Sequence, residues 1–336
     1  MKHVVVIGGG VAGMEASAKL SEMGVAVSIV EKADKLGGKL NRWDRLFPNS
    51  RPASDLLAKL QSGMGKDIRK YVNAEVSSVR QSLKQFDIAL SNGEDFKADA
   101  ILISTGFDVF DAHRKEEYGY GIYDNVITSA DLEKTFRKGE TLKTASGKKP
   151  QRVGIIHCVG SRDEKAGNNY CSKVCCITAV KQAIEIKEQN PEAEVFCFYM
   201  DLRMYDRHFE TIYKEAQVKH GIQFIRGRLS EAFENADGSV MLKAEDTLLG
   251  KPLKINVDMV VLMAGMVPSS GNRVKEQLNL TVAEDGFFNV ADAHYESSGT
   301  NVPGVFVAGA CTGPKTMENT INEARSAALA IKEYLR

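Results

Sequence analysis

The chain has 336 residues, 43% of them hydrophobic and 26% charged, with Lys+Arg and Asp+Glu balanced at 44 each. That composition fits an ordinary globular protein of two domains and supplies no basic field for nucleic acid or an anionic membrane. No apolar run approaches the ~20 residues of a membrane span, the start is too quickly glycine-rich for a signal peptide, and six cysteines are too few for a secreted disulfide scaffold. A reducing cytoplasm is therefore the expected location.

Val4–Ile7 is a continuous apolar run, the pattern of a buried parallel strand. Gly8, Gly10 and Gly13 follow as G-x-G-x-x-G, then an alanine-rich helix stopping at Gly24, then a second apolar strand, Ala26–Val30, ending in Glu31. Together these form a complete dinucleotide fingerprint. The glycines permit the tight turn, the close approach of a pyrophosphate and the helix–strand contact, and the acid accepts from a ribose hydroxyl. Leu36-Gly37-Gly38-Lys39-Leu40 comes directly after. A Gly-Gly pair there resembles the two-dinucleotide-binding flavoproteins, in which it passes beside the flavin pyrophosphate, and so favours FAD over NAD.

Ser54–Tyr71 reads as a helix with Leu56, Leu57, Leu60, Met64 and Ile68 on one face. Val72–Val79 and Phe86–Leu90 alternate as strands, the latter running into a Ser91–Glu94 turn. Ala100–Gly106 is a buried strand ending in Thr105-Gly106. Thr128–Lys138 predicts a short helix capped by Thr128 or Ser129.

Arg152–Ile156 is another buried strand, after which a second glycine fingerprint would hold NAD(P)H. The chain instead reads His157-Cys158-Val159-Gly160-Ser161-Arg162-Asp163, then Tyr170-Cys171-Ser172-Lys173-Val174-Cys175-Cys176. Four of the six cysteines thus fall within 19 residues. Four soft thiolates suit an iron–sulfur cluster or zinc, and the alternative is a set of buried thiols that bind nothing. Ser172–Gln189 predicts a helix with Cys175 and Cys176 in its first turn, and Glu194–Met200 a strand. The βαβ skeleton is kept while its ligand chemistry is replaced. Cys197 reads as a core residue, and the role of Cys311 stays open. His157, His208 and His220 have no spacing partners for a metal.

Val257–Gly265 and Asn301–Gly309 are two further strands ending in glycine, and Thr316–Tyr334 is a helix whose N-terminus suits an electron-rich flavin edge.

Four segments now carry a resemblance to the A-subunit family of heterodisulfide reductases. They are Gly8-x-Gly10-x-x-Gly13 with Glu31; Tyr118-Gly119-Tyr120-Gly121; the 158–163 and 170–176 cysteine segments; and Ala308-Gly309-x-x-x-Gly313-Pro314-Lys315. The resemblance implies an α/β fold of two Rossmann-like domains with thioredoxin reductase-like, two-dinucleotide-binding flavoprotein architecture. The FAD domain would span 1–111 and 266–336, around a cluster-bearing, NAD-domain-like module at 112–265. FAD contacts would come from Gly8, Gly10, Ala12, Gly13, Glu31 and Lys32, from Gly38, Lys39, Leu40 and Val76, and from Thr105, Gly106, Gly309, Lys315, Met317 and Thr320. The family's [4Fe–4S] cluster maps onto Cys158, Cys171, Cys175 and Cys176, and a family lysine near flavin N5 onto Lys181.

The chain departs from the family in two places. Its last strand ends Gly309-Ala310, where these flavoproteins carry a ribityl-binding Asp. Asn49–Ser54 stands where the family often has a cysteine-rich segment, which removes further clusters and disfavours electron bifurcation. The shorter form resembles the A-like subunit of heterodisulfide reductase-like complexes in sulfur oxidisers. An oxidoreductase passing electrons to partner subunits during thiol/disulfide or sulfane-sulfur chemistry is then expected, as a homodimer with a contact to NADH. The competing readings are an NAD(P)H-dependent disulfide reductase, which lacks its Cys-x-x-Cys and second fingerprint here, and a zinc-stapled flavoprotein without turnover.

Overall fold

The computed structural model describes residues 1–82, 85–270 and 273–336. The chain divides into two compact units, the first made of Met1–Asn41, Ala53–Asp108 and Val267–Arg336, the second of Arg42–Pro52 and Val109–Met266. The grouping of Arg42–Pro52 with the second unit differs from the continuous 1–111 segment expected from the sequence.

The first unit begins with β1 (His3–Ile7), α1 (Val11–Glu22) and β2 (Ala26–Val30). Helix α2 (Ala53–Gly63) is shorter than the expected Ser54–Tyr71, because Arg69–Tyr71 is β3, paired in parallel with β2. Gly63 and Gly65 each penalise a continuing helix by about 1 kcal/mol, and the ladder to β2 takes the chain over. A three-stranded antiparallel meander follows: β4 (Val76–Ser82), β5 (Gln85–Leu90) and β6 (Asp95–Ala98). The strand expected from Val72 starts at Val76 because Asn73 turns the chain with a φ of 51°, a left-handed value suited to Asn. β7 (Ala100–Ile103) is wholly buried.

The second unit repeats the plan. Its elements are β8 (Val126–Thr128), α3 (Ser129–Arg137), β9 (Arg152–Val159), α4 (Cys175–Gln189), β10 (Glu194–Tyr199), α5 (Phe209–Val218) and β11 (Gln223–Arg226). Then come a meander, β12 (Leu229–Glu234), β13 (Val240–Asp246) and β14 (Lys251–Val257), and a buried strand, β15 (Met259–Ala264). α3 carries a full capping box, Thr128 with Asp131. The parallel sheet has the order β8-β15-β9-β10-β11. One face buries Val153, Ile155, Val261 and Cys197 against Ile177, Val180 and Ala183 of α4.

The chain then returns to the first unit with β16 (Val305–Val307) and α6 (Met317–Tyr334). β16 completes a second parallel sheet, β16-β7-β1-β2-β3. Its face toward the meander buries Val5, Ile7, Ile101 and Ile103 with Phe86 and Ile88. In each unit the turn after the central strand, β1 in the first and β9 in the second, lies at that strand's C-terminal end, where ligands of open α/β sheets bind. No helix among the described residues is long and apolar enough to cross a membrane.

Candidate functional site

In the first unit the glycine fingerprint forms the turn from β1 into α1. A Cβ on Gly13 would lie 1.9 Å from the Gly8 carbonyl oxygen, so this position is closed to any side chain. Gly10 is the opposite case: a Cβ there would meet no protein atom within 4 Å. Gly10 is also the N-cap of the twelve-residue α1 and brings no side-chain cap, so the first-turn N–H groups face that open space. Gly38 crosses the same turn, its Cβ position 3.0 Å from the Gly10 Cα. The Glu31 carboxylate, 8% exposed, accepts from Gly9 N–H at 2.7 Å and Ala33 N–H at 2.8 Å. It therefore holds the turn in shape from below. Leu40 is buried, and the Lys39 ammonium stands over the Phe107 ring at 4.8 Å.

Thr105 and Gly106 follow β7 and line a cavity of about 200 Å3 together with Ser270, Arg273, Phe288 and Cys311. Asp108 accepts from the Ser270 N–H and Oγ, both at 2.8 Å. Burial opposes its ionisation, but those donations and the charges of Lys39 and Lys32 hold its carboxyl below the usual range. Val76 packs its side chain into the core under the meander, which leaves only its backbone for a ligand. Cys311 is buried, donating to the carbonyls of Ile103 and Ala308, and burial pushes its thiol up to about 12.

At the end of β16, Gly309 meets Ala12 and Thr320: a Cβ on Gly309 would stand 2.8 Å from the Ala12 Cβ and 3.4 Å from the Thr320 Cγ2. Glu323, on the second turn of α6, accepts from the Gly309 N–H at 3.0 Å and pairs with Lys315 at 2.6 Å. No local pattern singles this residue out in the sequence. It brings a carboxylate to the strand end where Ala310 has none. Thr316 caps α6 through the Asn319 N–H, so Met317 and Thr320 lie in its first turn.

In the second unit, Cys158 sits near the end of β9 in a left-handed conformation, φ 59°. This turns its side chain out of the strand's alternation. Cys175 and Cys176 open α4, whose N-cap Val174 offers no side-chain cap. These three thiols are buried against one another. Donation from Cys175 pulls Cys158 below its ordinary value and, with His157 adding, takes Cys176 down to about 4. Its two neighbours and burial push Cys175 itself well up. Within the trio, thiolate character is thus favoured on the two outer sulfurs over the middle one. Cys171 lies on the intervening loop, half-buried, receiving the Lys173 N–H at 3.3 Å, and Arg162 faces both Cys158 and Cys171. Among the described residues, no three His, Cys, Asp or Glu side chains close around a single-ion position.

The loop that carries Cys171 is fastened at several points. Arg162 N–H donates to the Tyr170 carbonyl at 2.9 Å, the hydroxyls of Ser161 and Ser172 meet at 2.7 Å, and Ser172 Oγ accepts the Met266 N–H at 2.9 Å. Lys115 pairs with the buried Asp163 at 2.8 Å.

Lys181, expected from the resemblance to lie near a flavin, has carboxylate partners within the second unit. It is 6% exposed, ion-paired with Glu133 and Glu185, and donates to the Arg45 carbonyl at 3.1 Å. Two carboxylates converge on it, so its ammonium is committed within the unit. The same group anchors the Arg42–Pro52 excursion: Asp44 N–H donates to Glu133 at 3.0 Å, and Arg45 pairs with Glu188 at 2.8 Å.

Glu185 supplies a pH dependence. Burial, with a contribution from Glu133 and against Lys181, pushes its carboxyl from 4.5 up to about 7. The folded chain therefore keeps a proton that the unfolded chain releases. The resulting stability is present below pH 4.5 and is lost as pH rises to 7, on the order of 3 kcal/mol. Urea unfolding at pH 5 and pH 7.5 should show that loss in the wild type, and Glu185→Gln should flatten it. An unchanged slope in the variant would place the effect elsewhere.

The family described as pyridine nucleotide-disulphide oxidoreductase matches residues 1–122 and 175–328. The unmatched interval contains Cys158 and Cys171 and stops just before Cys175. The A-subunit of the H(2):CoB-CoM heterodisulfide,ferredoxin reductase of Methanothermobacter marburgensis is 32% identical over 96% of this chain and 62% of that protein. The iron-sulfur A-subunit of the CoB–CoM heterodisulfide reductase of Methanocaldococcus jannaschii is 30% identical over 98% of the chain and 64% of its own length. The chain therefore spans less than two thirds of these relatives. Among solved structures, thioredoxin reductase of T. acidophilum aligns over 100% of both chains with a TM-score of 0.68 at 20% identity. That of Lactococcus lactis aligns over 100% and 99% with a TM-score of 0.69 at 19% identity. These likenesses establish a thioredoxin reductase-like fold, as the sequence implied.

Proposed function

The chain belongs to the pyridine nucleotide-disulphide oxidoreductase family, is a relative of the heterodisulfide reductase A-subunits, and we propose that it is an electron-transfer subunit holding FAD in its first unit and a [4Fe–4S] cluster in its second. The observation that carries this reading is the substitution at the second βαβ turn. Where a pyridine nucleotide's phosphates would need glycines, the chain supplies thiols on the strand end and on the first turn of the following helix.

The FAD fit rests on the open position at Gly10, the uncapped α1 N-terminus and the Gly38 crossing, which leave room and N–H donors for a pyrophosphate. Glu31 keeps that turn in register, and Glu323, fixed by Lys315, offers a carboxylate for a polyol hydroxyl. The cluster fit rests on four soft donors, of which Cys158 and Cys176 are biased toward thiolate, with Arg162 beside Cys158 and Cys171. Together the two groups couple two-electron flavin chemistry to one-electron transfer. The partners proposed are further subunits of a heterodisulfide reductase-like complex, and the chemistry served is thiol/disulfide or sulfane-sulfur oxidation.

Anaerobically purified protein should contain one FAD per chain with iron and acid-labile sulfide in equal amounts. Zinc, or the lack of inorganic sulfide, would sink the cluster reading. A flavin bleached within mixing time by NADH would favour a pyridine-nucleotide reductase instead.

A further inference from the structure

We propose that Asp163, gripped by Lys115 and Arg228, is a positioning residue for Cys171, the one cysteine of the four that no helix or strand places. This rests on the cluster reading above and goes beyond the ligands it names.

Cys158 lies in β9, and Cys175 and Cys176 lie in α4. Cys171 has only the loop between those elements, so its sulfur is held where the loop is held. The loop doubles back on itself. Arg162 N–H donates to the Tyr170 carbonyl, and Asp163 and Asn168 exchange backbone bonds at 2.9 and 3.1 Å. Cys171 is the next residue after this pairing ends. Bonds inside a hairpin fix its shape, while its place has to be set from outside.

Asp163 supplies that outside hold. It is 1% exposed, and its Oδ2 meets the Lys115 ammonium and the Arg228 guanidinium, each at 2.8 Å. Lys115 is 4% exposed and also pairs with Glu117 at 2.7 Å. Withdrawing one partner from such a buried group leaves charge uncompensated, so the loop is bound to stay where both cations are. The two cations come from distant parts of the chain and are fixed to one another. The Tyr118 hydroxyl, three residues after Lys115, donates to the carbonyl of Leu229, which follows Arg228, at 3.3 Å. Gly119 then turns the chain with a φ of 75°, and a Cβ there would stand 2.1 Å from the Tyr123 ring. The Tyr118–Gly121 segment thereby acquires a use, as the anchor of the cations that hold the cysteine loop. The same stretch reaches the loop twice more. Arg114 donates to the Ala166 carbonyl at 3.0 Å, and the Phe110 ring fills the space a Cβ on Gly160 would need.

The test follows anaerobically purified full chains during ferricyanide oxidation with iodoacetamide present, reading iron content and, by mass spectrometry, which cysteines are alkylated. In Lys115→Met, Cys171 should be alkylated at least about tenfold faster than in the wild type, since labelling reports local opening, and iron should be lost with it. Cys158, Cys175 and Cys176 should initially keep the wild-type rate. Lys115→Arg, which keeps the charge, should recover most of the protection. A wild-type rate at Cys171 in folded Lys115→Met would overturn the proposal. So would equal acceleration at all four cysteines, the mark of general loosening. If Lys115→Met does not fold, Arg228→Gln decides, because it removes the more exposed of the two cations. It must accelerate Cys171 selectively, and an unchanged rate overturns the assignment. Wild-type protein without inorganic sulfide would instead fail the cluster reading, and the same labelling without oxidant would then still test the hold on the loop.

Discussion

Cys175→Ser should abolish binding of the proposed cluster: iron and sulfide are expected to fall to background, while FAD content stays at the wild-type level. Cys175 is the middle member of the buried thiol trio, with Cys158 and Cys176 on either side. A serine hydroxyl at that point is a hard donor that does not ionise near neutral pH, so the site loses a soft ligand and gains a buried hydroxyl. The FAD cradle is built from other segments of the chain and has no part in this loss. Cys197→Ser is the control. Cys197 lies on β10 in the same apolar core, fully buried, with its thiol pushed far up by burial. Its replacement should cost about 1–3 kcal/mol in unfolding experiments and leave the iron content intact. A Cys175→Ser protein with full iron would remove Cys175 from the ligand set.

Gly10→Val, in turn, folds like the wild type and loses FAD. The new side chain projects into space that no protein atom occupies within 4 Å of its Cβ, so the apoprotein should unfold at the same urea concentration. It fills the position left for a phosphate, and affinity for FAD should drop by about 100-fold or more, roughly 2.8 kcal/mol. Gly13→Ala inverts the result. Its Cβ would stand 1.9 Å from a backbone oxygen, so overpacking costs about 1–3 kcal/mol of stability even without ligand. Fluorescence titration with FAD and urea unfolding of the apoproteins separate the two. Tight FAD binding by Gly10→Val would refute the cradle.

What the sequence disclosed follows from how local each signal is. The β1–α1–β2 fingerprint and the cysteines around β9 and α4 are short-range patterns, in which spacing sets position on a strand end or a helix turn. The end of α2 escapes the sequence because Met64 and Ile68 continue a helical stripe and are buried. That stripe cannot disclose that β2 has an edge waiting for Arg69–Tyr71. Glu323 is invisible for another reason: it meets Gly309 only because α6 folds back along β16. Lys181 is the sharpest case. Only the resemblance singles it out, and its environment is decided by Glu133 on another helix and by the Arg42–Pro52 excursion. Pairings of that kind are set by tertiary structure and leave no periodic trace.

The two parallel sheets have matching plans. In each, a central strand is followed by a helix, then by the strands on one side, then by a three-stranded meander, and then by the strand on the other flank. A duplicated module of this kind separates what must stay fixed from what can be exchanged. The strands and meander carry the buried apolar surface, and the turn after the central strand is free to differ. One unit keeps glycines there and the other carries thiols, so the same framework presents two different sets of donor groups at equivalent positions.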